Sequence, residues 1–301
     1  MLVKSEIILK KAKKGKRAVG AFNFTTLEQL KALVNACKSQ NMGCILATSE
    51  SAIKYMGIKN IVSMVKNEVE DLDLEFSLHL DHGKSFEICK LCIDNEYNSV
   101  MIDASSLPLE ENITLSKKVV EYAKNFDVSV EAELGKIQGV EDNISSIDSI
   151  FTDPNVALDF INKTGISSLA ISIGTSHGAY KFKGESKLDI ARLIKIDTLT
   201  NHFPLVLHGA SSVSTELVKN FENVGGKLLD AKGVSDNNIK DAIKNGICKI
   251  NVDTDLRIAF TTGVRQNLQN SSNFNLRDYL TSGIDSMQKE VENRIKLFSN
   301  K

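Results

Sequence analysis

Three of the five histidines in this chain, His82, His177 and His208, stand in short motifs rich in glycine, hydroxyl and carboxylate side chains: Leu80-Asp81-His82-Gly83, Gly174-Thr175-Ser176-His177-Gly178 and His208-Gly209-Ala210-Ser211. Any one of them alone is more often a structural histidine. Three converging imidazoles, with the carboxylates Asp81 and Glu133 nearby, match an open catalytic site for a divalent metal: three protein donors and a free position for water or substrate. The same turns suit an anion, because glycines let backbone N–H groups approach it closely and hydroxyls complete the cradle. Gly178, Gly209, Ser211 and the run Asn251 to Thr254 are candidates for that cradle, with Lys181 as a countercharge. Arg257, four residues past Asp253, is a fork able to grip a second phosphate.

Residues so far apart in sequence meet only if a scaffold brings them together. Eight short apolar, β-branched runs are spread along the chain: 18–22, 44–48, 75–80, 99–103, 128–134, 168–173, 204–208 and 247–251. Between them lie stretches with apolar residues every three or four positions, the period of amphipathic helices. Thr26 is placed to cap one helix, Pro154 to start another, and Gly246 to follow the helix before the last run. Strands apolar on both faces and alternating with helices imply a parallel sheet, and eight such units predict an α/β fold, the (β/α)8 or TIM barrel. A doubly wound open sheet is the runner-up. The polar residues favour the barrel, because almost every run ends in reactive side chains: Asn23, Ser49, Asp81-His82, Asp103, Glu133, Ser176-His177, His208 and Asn251 to Thr254. Strand alternation sets His79 on the face opposite His82, where it packs or hydrogen-bonds, and His202 falls before its strand, away from the mouth.

The 301 residues contain only three prolines and no low-complexity linker, which predicts one domain over 1–301 with a helical C-terminal extension. A formal net charge of -1 gives no general attraction to nucleic acid or to an anionic membrane surface, and no apolar run approaches the ~20 residues that span a bilayer. The basic opening reads as a solvated helix face and not as a targeting signal. Five scattered cysteines form no disulfide framework and fit a reducing, cytoplasmic setting. Cys89 and Cys92 lie in a stretch of helical period, so they read as half-buried helix cysteines.

The motifs LDHG (80–83), EAELGKIQGVED (131–142), GTSHGAYKF (174–182), LHGASS (207–212) and KINVDTDLR (249–257) together resemble the class II, metal-dependent fructose-1,6-bisphosphate aldolases over nearly the whole chain. The resemblance implies a Zn2+ ion held by His82, His177 and His208, with Glu133 as an alternate ligand. It implies that Asp81 is the acid/base at the substrate C4 hydroxyl and that Glu141 is the base that removes the C1 proton of the triose. It assigns Gly178, Lys181, Gly209, Ser211, Asp253 and Thr254 to one phosphate and Ser49 and Arg257 to the other. Asn251 would lie against the triose, and Asn23 is a further substrate contact. The chemistry coheres: breaking C3–C4 leaves a carbanion beside a carbonyl, and a Lewis acid stabilises the enediolate without a Schiff base.

Two departures stand out. Ala47 occupies a place where many relatives carry Gln, and Asn275-Leu276-Arg277 stands where the family commonly has an Asp-Pro-Arg that crosses a subunit interface to the distal phosphate, a reach that Arg277 could still make. The compact chain resembles the branch of the family that forms homodimers or homotetramers. Tagatose-1,6-bisphosphate aldolase is the nearest alternative; Asp253 and Arg257 favour fructose. A metal-dependent hydrolase lacks its His-x-His pair here, and a non-catalytic accessory subunit should have lost Asp81 or a histidine. A monovalent cation is a further cofactor to consider, and it leaves no readable trace in the sequence.

Overall fold

A computed structural model describes residues 1–141, 144–146, 150–178, 187–228, 231–269, 272 and 274–299, with backbone alone at 138–141, 144–146 and 177. Eight parallel strands close into a barrel in consecutive order: β1 (Val19–Asn23), β2 (Ile45–Ser49), β3 (Ser77–Gly83), β4 (Ser99–Ile102), β5 (Ser129–Leu134), β6 (Ser168–Ile171), β7 (Leu205–Leu207) and β8 (Ile247–Val252). Each lies within a few residues of an apolar run in the sequence, and the barrel, not the open sheet, is the arrangement found.

Local chemistry sets the helix boundaries. Thr26 Oγ1 accepts from Gln29 N at 3.3 Å to start the helix Leu27–Gln40, and Asp153 caps the helix that Pro154 opens. Pro154 sits at a first-turn position, where its missing N–H costs nothing. Gly165 ends that helix in the left-handed region, at φ 72°.

A helix near each end of the chain packs on the barrel. The helix Ser5–Lys14 buries Ile8, Leu9 and Ala12 against Val19, Ala21 and Ile45, while Lys10 and Lys11 lie exposed on its outer face. Ser5 Oγ meets Ser99 Oγ at 2.8 Å, and Glu6 N donates to Ser129 Oγ at 3.1 Å. The long helix Leu276–Ser299 stacks Phe298 on Phe22, and its Phe298 carbonyl accepts from Ala18 N. All five cysteines are free and buried, and burial pushes the Cys89 and Cys92 thiols up, away from thiolate chemistry. No helix among the described residues is long and apolar enough to cross a membrane.

One element has no counterpart in the apolar pattern. Backbone of Gln138–Glu141 pairs antiparallel with Ile144–Ser146 and parallel with Ser176–His177. This small sheet joins the loop after β5 to the loop after β6, so the GKIQGVED and GTSHG motifs are neighbours in space.

Candidate active site

Inside the barrel, buried polar side chains stand beside a small apolar cluster of Met101, Ala170 and Val206. In the middle layer Lys249 and Glu131, 0% and 2% exposed, form an ion pair at 2.8 Å. His79 joins them, with Nε2 3.3 Å from Lys249 Nζ and Nδ1 2.7 Å from Ser99 Oγ. It does hydrogen-bond, as expected, but inside the barrel. The simple alternation fails because β3 breaks register between Leu80 and Gly83, and His82 takes a left-handed φ of 51°. That irregularity brings Asp81 and the next residue, His82, into one cluster.

Two imidazoles meet there. His82 Nδ1 lies 2.9 Å from Asp103 Oδ2, and His208 Nε2 lies 2.9 Å from Glu131 Oε1. Since a carboxylate only accepts, each ring donates that N–H, which leaves the other nitrogens as lone pairs. Those nitrogens, His82 Nε2 and His208 Nδ1, face each other at 2.7 Å. Two lone pairs so placed require a proton or a cation between them. Burial disfavours a charged His82, yet Asp81, Asp103 and Glu133 outweigh it and push the ring up to about 9.

The donor set fits a divalent metal. Asp81, His82 and His208 offer ligand atoms within 4.8 Å of one another, as do His82, Asp103 and Glu133. Glu133 Oε2 is buried with no hydrogen-bond partner among the described residues, and burial, then the charge of Asp103, pushes this carboxyl up to about 8. Both imidazoles also have the carboxylate partners that orient metal-binding histidines.

Asp81 is held on both sides. Its Oδ2 accepts from Asn23 Nδ2 at 2.9 Å and its Oδ1 from Asn251 Nδ2 at 2.8 Å. Burial alone would raise its carboxyl, but His82, His208, Lys249 and the Asn23 hydrogen bond hold it below the ordinary carboxylate value.

Beside this cluster the loops after β6 and β7 approach each other closely. Gly209 has φ 61°, and a Cβ there would lie 2.7 Å from the Ser176 carbonyl oxygen, so the contact requires glycine. Gly178 is also left-handed, at φ 83°. The chain following Gly209 is pinned by Asp255, whose carboxylate accepts from Ser212 N and Val213 N, both at 2.8 Å.

This geometry agrees with sequence comparison. Residues 3–301 match the family model described as fructose-bisphosphate aldolase class-II. The chain is 45% identical to the fructose-bisphosphate aldolase of Helicobacter pylori, covering 100% of this chain and 99% of that protein. It is 42% identical to the fructose-bisphosphate aldolase of Thermus caldophilus, again over 100% and 99%. The chain belongs to the class II fructose-bisphosphate aldolase family. Among solved structures, the YdjI aldolase from Escherichia coli superposes with a TM-score of 0.82 at 28% identity, covering 99% of this chain and 97% of that one.

Within the aldolase framework most of the expected residues lie at or just beyond the strand ends. Asn23, Asp81, His82, Glu133, His208 and Asn251 are buried at or near the strand ends; Asn23 and Asn251 hydrogen-bond Asp81, His82 meets His208, and the ligand atoms of Asp81, His82 and His208 lie within 4.8 Å of one another. Ser211 is buried in the loop after β7. Asp253 and Thr254 follow β8, where Asp253 takes the Arg257 fork at 2.8 Å to Nε and 2.6 Å to Nη2. Ser49 ends β2, and its hydroxyl caps the helix Glu50–Met56 by accepting from Ala52 N at 3.3 Å. Arg277 lies apart, exposed at the start of the last helix and hydrogen-bonded to Asn275. Lys181 and the side chains of Glu141 and His177 lie outside the described residues.

Four residues of the site carried no role in the sequence reading. Asp103 was visible as a polar strand end. Glu131 shares the inward face of Glu133 by the two-residue period, and Lys249, two before Asn251, is the one charged residue of its strand. Asp255 gave no signal, since an acid in the first turn of a helix is common.

Proposed function

We propose that this protein catalyses the reversible aldol cleavage of fructose 1,6-bisphosphate to dihydroxyacetone phosphate and glyceraldehyde 3-phosphate, a step of glycolysis and gluconeogenesis. The observation that carries this reading is the buried Asp81 carboxylate beside two imidazoles whose lone pairs converge at 2.7 Å. A divalent cation held by His82 and His208, read here as Zn2+ with His177 as third donor and Glu133 as alternate ligand, supplies Lewis-acid stabilisation of the charge developing beside the C2 carbonyl.

The chain's own groups do the rest. In cleavage Asp81 takes the C4 hydroxyl proton while the C4–O bond becomes a carbonyl and the C3–C4 electron pair stays on C3; in condensation it returns the proton. Its depressed carboxyl keeps it ionised and ready to accept. Asn23 and Asn251 hold it in place, Asn251 lies against the triose and Asn23 is a further substrate contact. Glu141 delivers the proton to the carbanion carbon, and removes it in the reverse direction. Gly178, Lys181, Gly209, Ser211, Asp253 and Thr254 hold one phosphate, and Ser49 and Arg257 the other, with Arg277 reaching that site from a neighbouring subunit of a homodimer or homotetramer. We read the chain as one barrel domain with a helical extension, acting in the cytoplasm.

The deciding assay compares cleavage of fructose 1,6-bisphosphate and tagatose 1,6-bisphosphate by the purified protein, before and after chelation and with Zn2+ restored. Activity lost to chelator, recovered with Zn2+ and greater on fructose is expected. A preference for tagatose moves the specificity to the epimer, and no cleavage of either sugar by metal-loaded protein overturns the catalytic reading.

A further inference from the structure

Beneath the mouth, hydrogen bonds join buried side chains of several strands into one network across the barrel axis. Lys249 Nζ donates to both oxygens of Glu131, at 3.0 and 2.8 Å, and toward His79 Nε2 at 3.3 Å. A histidine nitrogen that accepts from an ammonium carries no proton, so His79 bears its hydrogen on Nδ1 and donates it to Ser99 Oγ. Ser99 in turn meets Ser5 Oγ at 2.8 Å, on the helix that braces the barrel floor. Ser168 Oγ donates to Glu131 Oε2 at 3.2 Å. Each Glu131 oxygen therefore accepts two hydrogen bonds, Oε2 from Lys249 and Ser168 and Oε1 from Lys249 and the Nε2–H of His208.

We infer that Lys249 and Glu131 are positioning residues for the mouth: Lys249 fixes the Glu131 carboxylate, and Glu131 fixes the ring plane and tautomer of His208 so that its Nδ1 lone pair faces His82. The inference rests on the reading that a divalent cation sits between these two imidazoles. A buried ion pair is weak evidence for stability, since apolar residues of similar volume often replace one without loss. Its retention here, directly under a candidate ligand, is accounted for by orientation. Its counterpart is the Asp103 carboxylate under His82, held by Lys84 Nζ at 2.6 Å; the two halves of the cluster use the same lysine–carboxylate–imidazole arrangement, one at the rim and one in the core.

The test uses the full-length protein. In wild type, long-range proton–nitrogen NMR of 15N-histidine protein, with His208 assigned through His208→Asn, should show the Nε2–H tautomer in the zinc-loaded state; an Nδ1–H tautomer overturns the inference whatever the variants do. The variant Glu131→Leu/Lys249→Met should fold with an unchanged or higher Tm yet bind zinc roughly 10- to 100-fold more weakly in chelator competition, the usual cost of losing an outer partner of a metal-bound histidine. Glu131→Gln/Lys249→Met, in which the amide oxygen still accepts from His208, should recover zinc affinity to within a few-fold of wild type. Folded Glu131→Leu/Lys249→Met with wild-type zinc affinity reduces the pair to core packing and overturns the inference alone. Wild-type protein whose zinc affinity matches that of His208→Ala overturns the underlying metal reading and this inference with it.

Discussion

His82 Nε2 and His208 Nδ1 lie 2.7 Å apart at the mouth of the barrel, each ring anchored through its other nitrogen to a different buried carboxylate, Asp103 and Glu131. The two residues are 126 positions apart in sequence, and their geometry serves a shared cation better than it serves either ring alone.

Replacing Asp81 separates acid/base work from metal binding. Asp81→Ala should retain the metal, measured by elemental analysis after gel filtration, and lose about 10²–10⁴-fold in kcat, the usual range for a positioned acid/base group. A near-normal kcat removes the role.

For Arg257 the expected effect is on substrate use. Arg257→Ala should lower kcat/KM for the bisphosphate roughly 10- to 100-fold, from about 1.5–3 kcal/mol for a hydrogen bond to a charged group. Because Asp253 now holds the fork, the substitution also frees that carboxylate near the phosphate. An unchanged kcat/KM refutes the assignment.

Metal-free protein should lose stability as pH rises. His82, pushed up to about 9, and Glu133, pushed up to about 8, both bind protons more tightly folded than unfolded. The stability they contribute is fully present below their unfolded values, near 6.5 and 4.5, and is lost as pH climbs through 8 and 9. Thermal unfolding of chelated protein at pH 6.5 and pH 9.5 should therefore show the lower Tm at high pH, and saturating Zn2+ should narrow the gap. A Tm that rises with pH contradicts the electrostatics of the cluster.

Gly209→Ala should damage both fold and substrate binding. The left-handed backbone costs about 1–2 kcal/mol for an L-residue, and the added Cβ would press on the Ser176 carbonyl. A lower Tm together with a raised KM for the bisphosphate is expected. An unaltered KM in a folded variant dissociates this turn from phosphate binding.

How much of this was legible beforehand follows from the range of each interaction. Hydrophobic period and capping are local, so the eight apolar runs marked the strands, and Thr26 and Pro154 marked helix starts where the structure has them. The convergence of Asp81, His82 and His208 followed from one topological rule, that the C-terminal ends of parallel barrel strands share a mouth. Aldolase membership rested on motifs contiguous in sequence, and so was readable there too.

Other features belonged to tertiary structure alone. The two-residue alternation assigns Asp81 and His82 to opposite faces, and only the register break in β3 with its left-handed residue reconciles them. The Lys249–Glu131 pair joins β8 to β5 across the barrel axis, and Asp255 reaches back to Ser212 and Val213. No local pattern encodes such contacts, because each exists only once the closed barrel has brought distant inward faces within hydrogen-bond reach. The residue types were written in the chain; which imidazole nitrogen faces the mouth was decided by the carboxylate that packing set behind each ring.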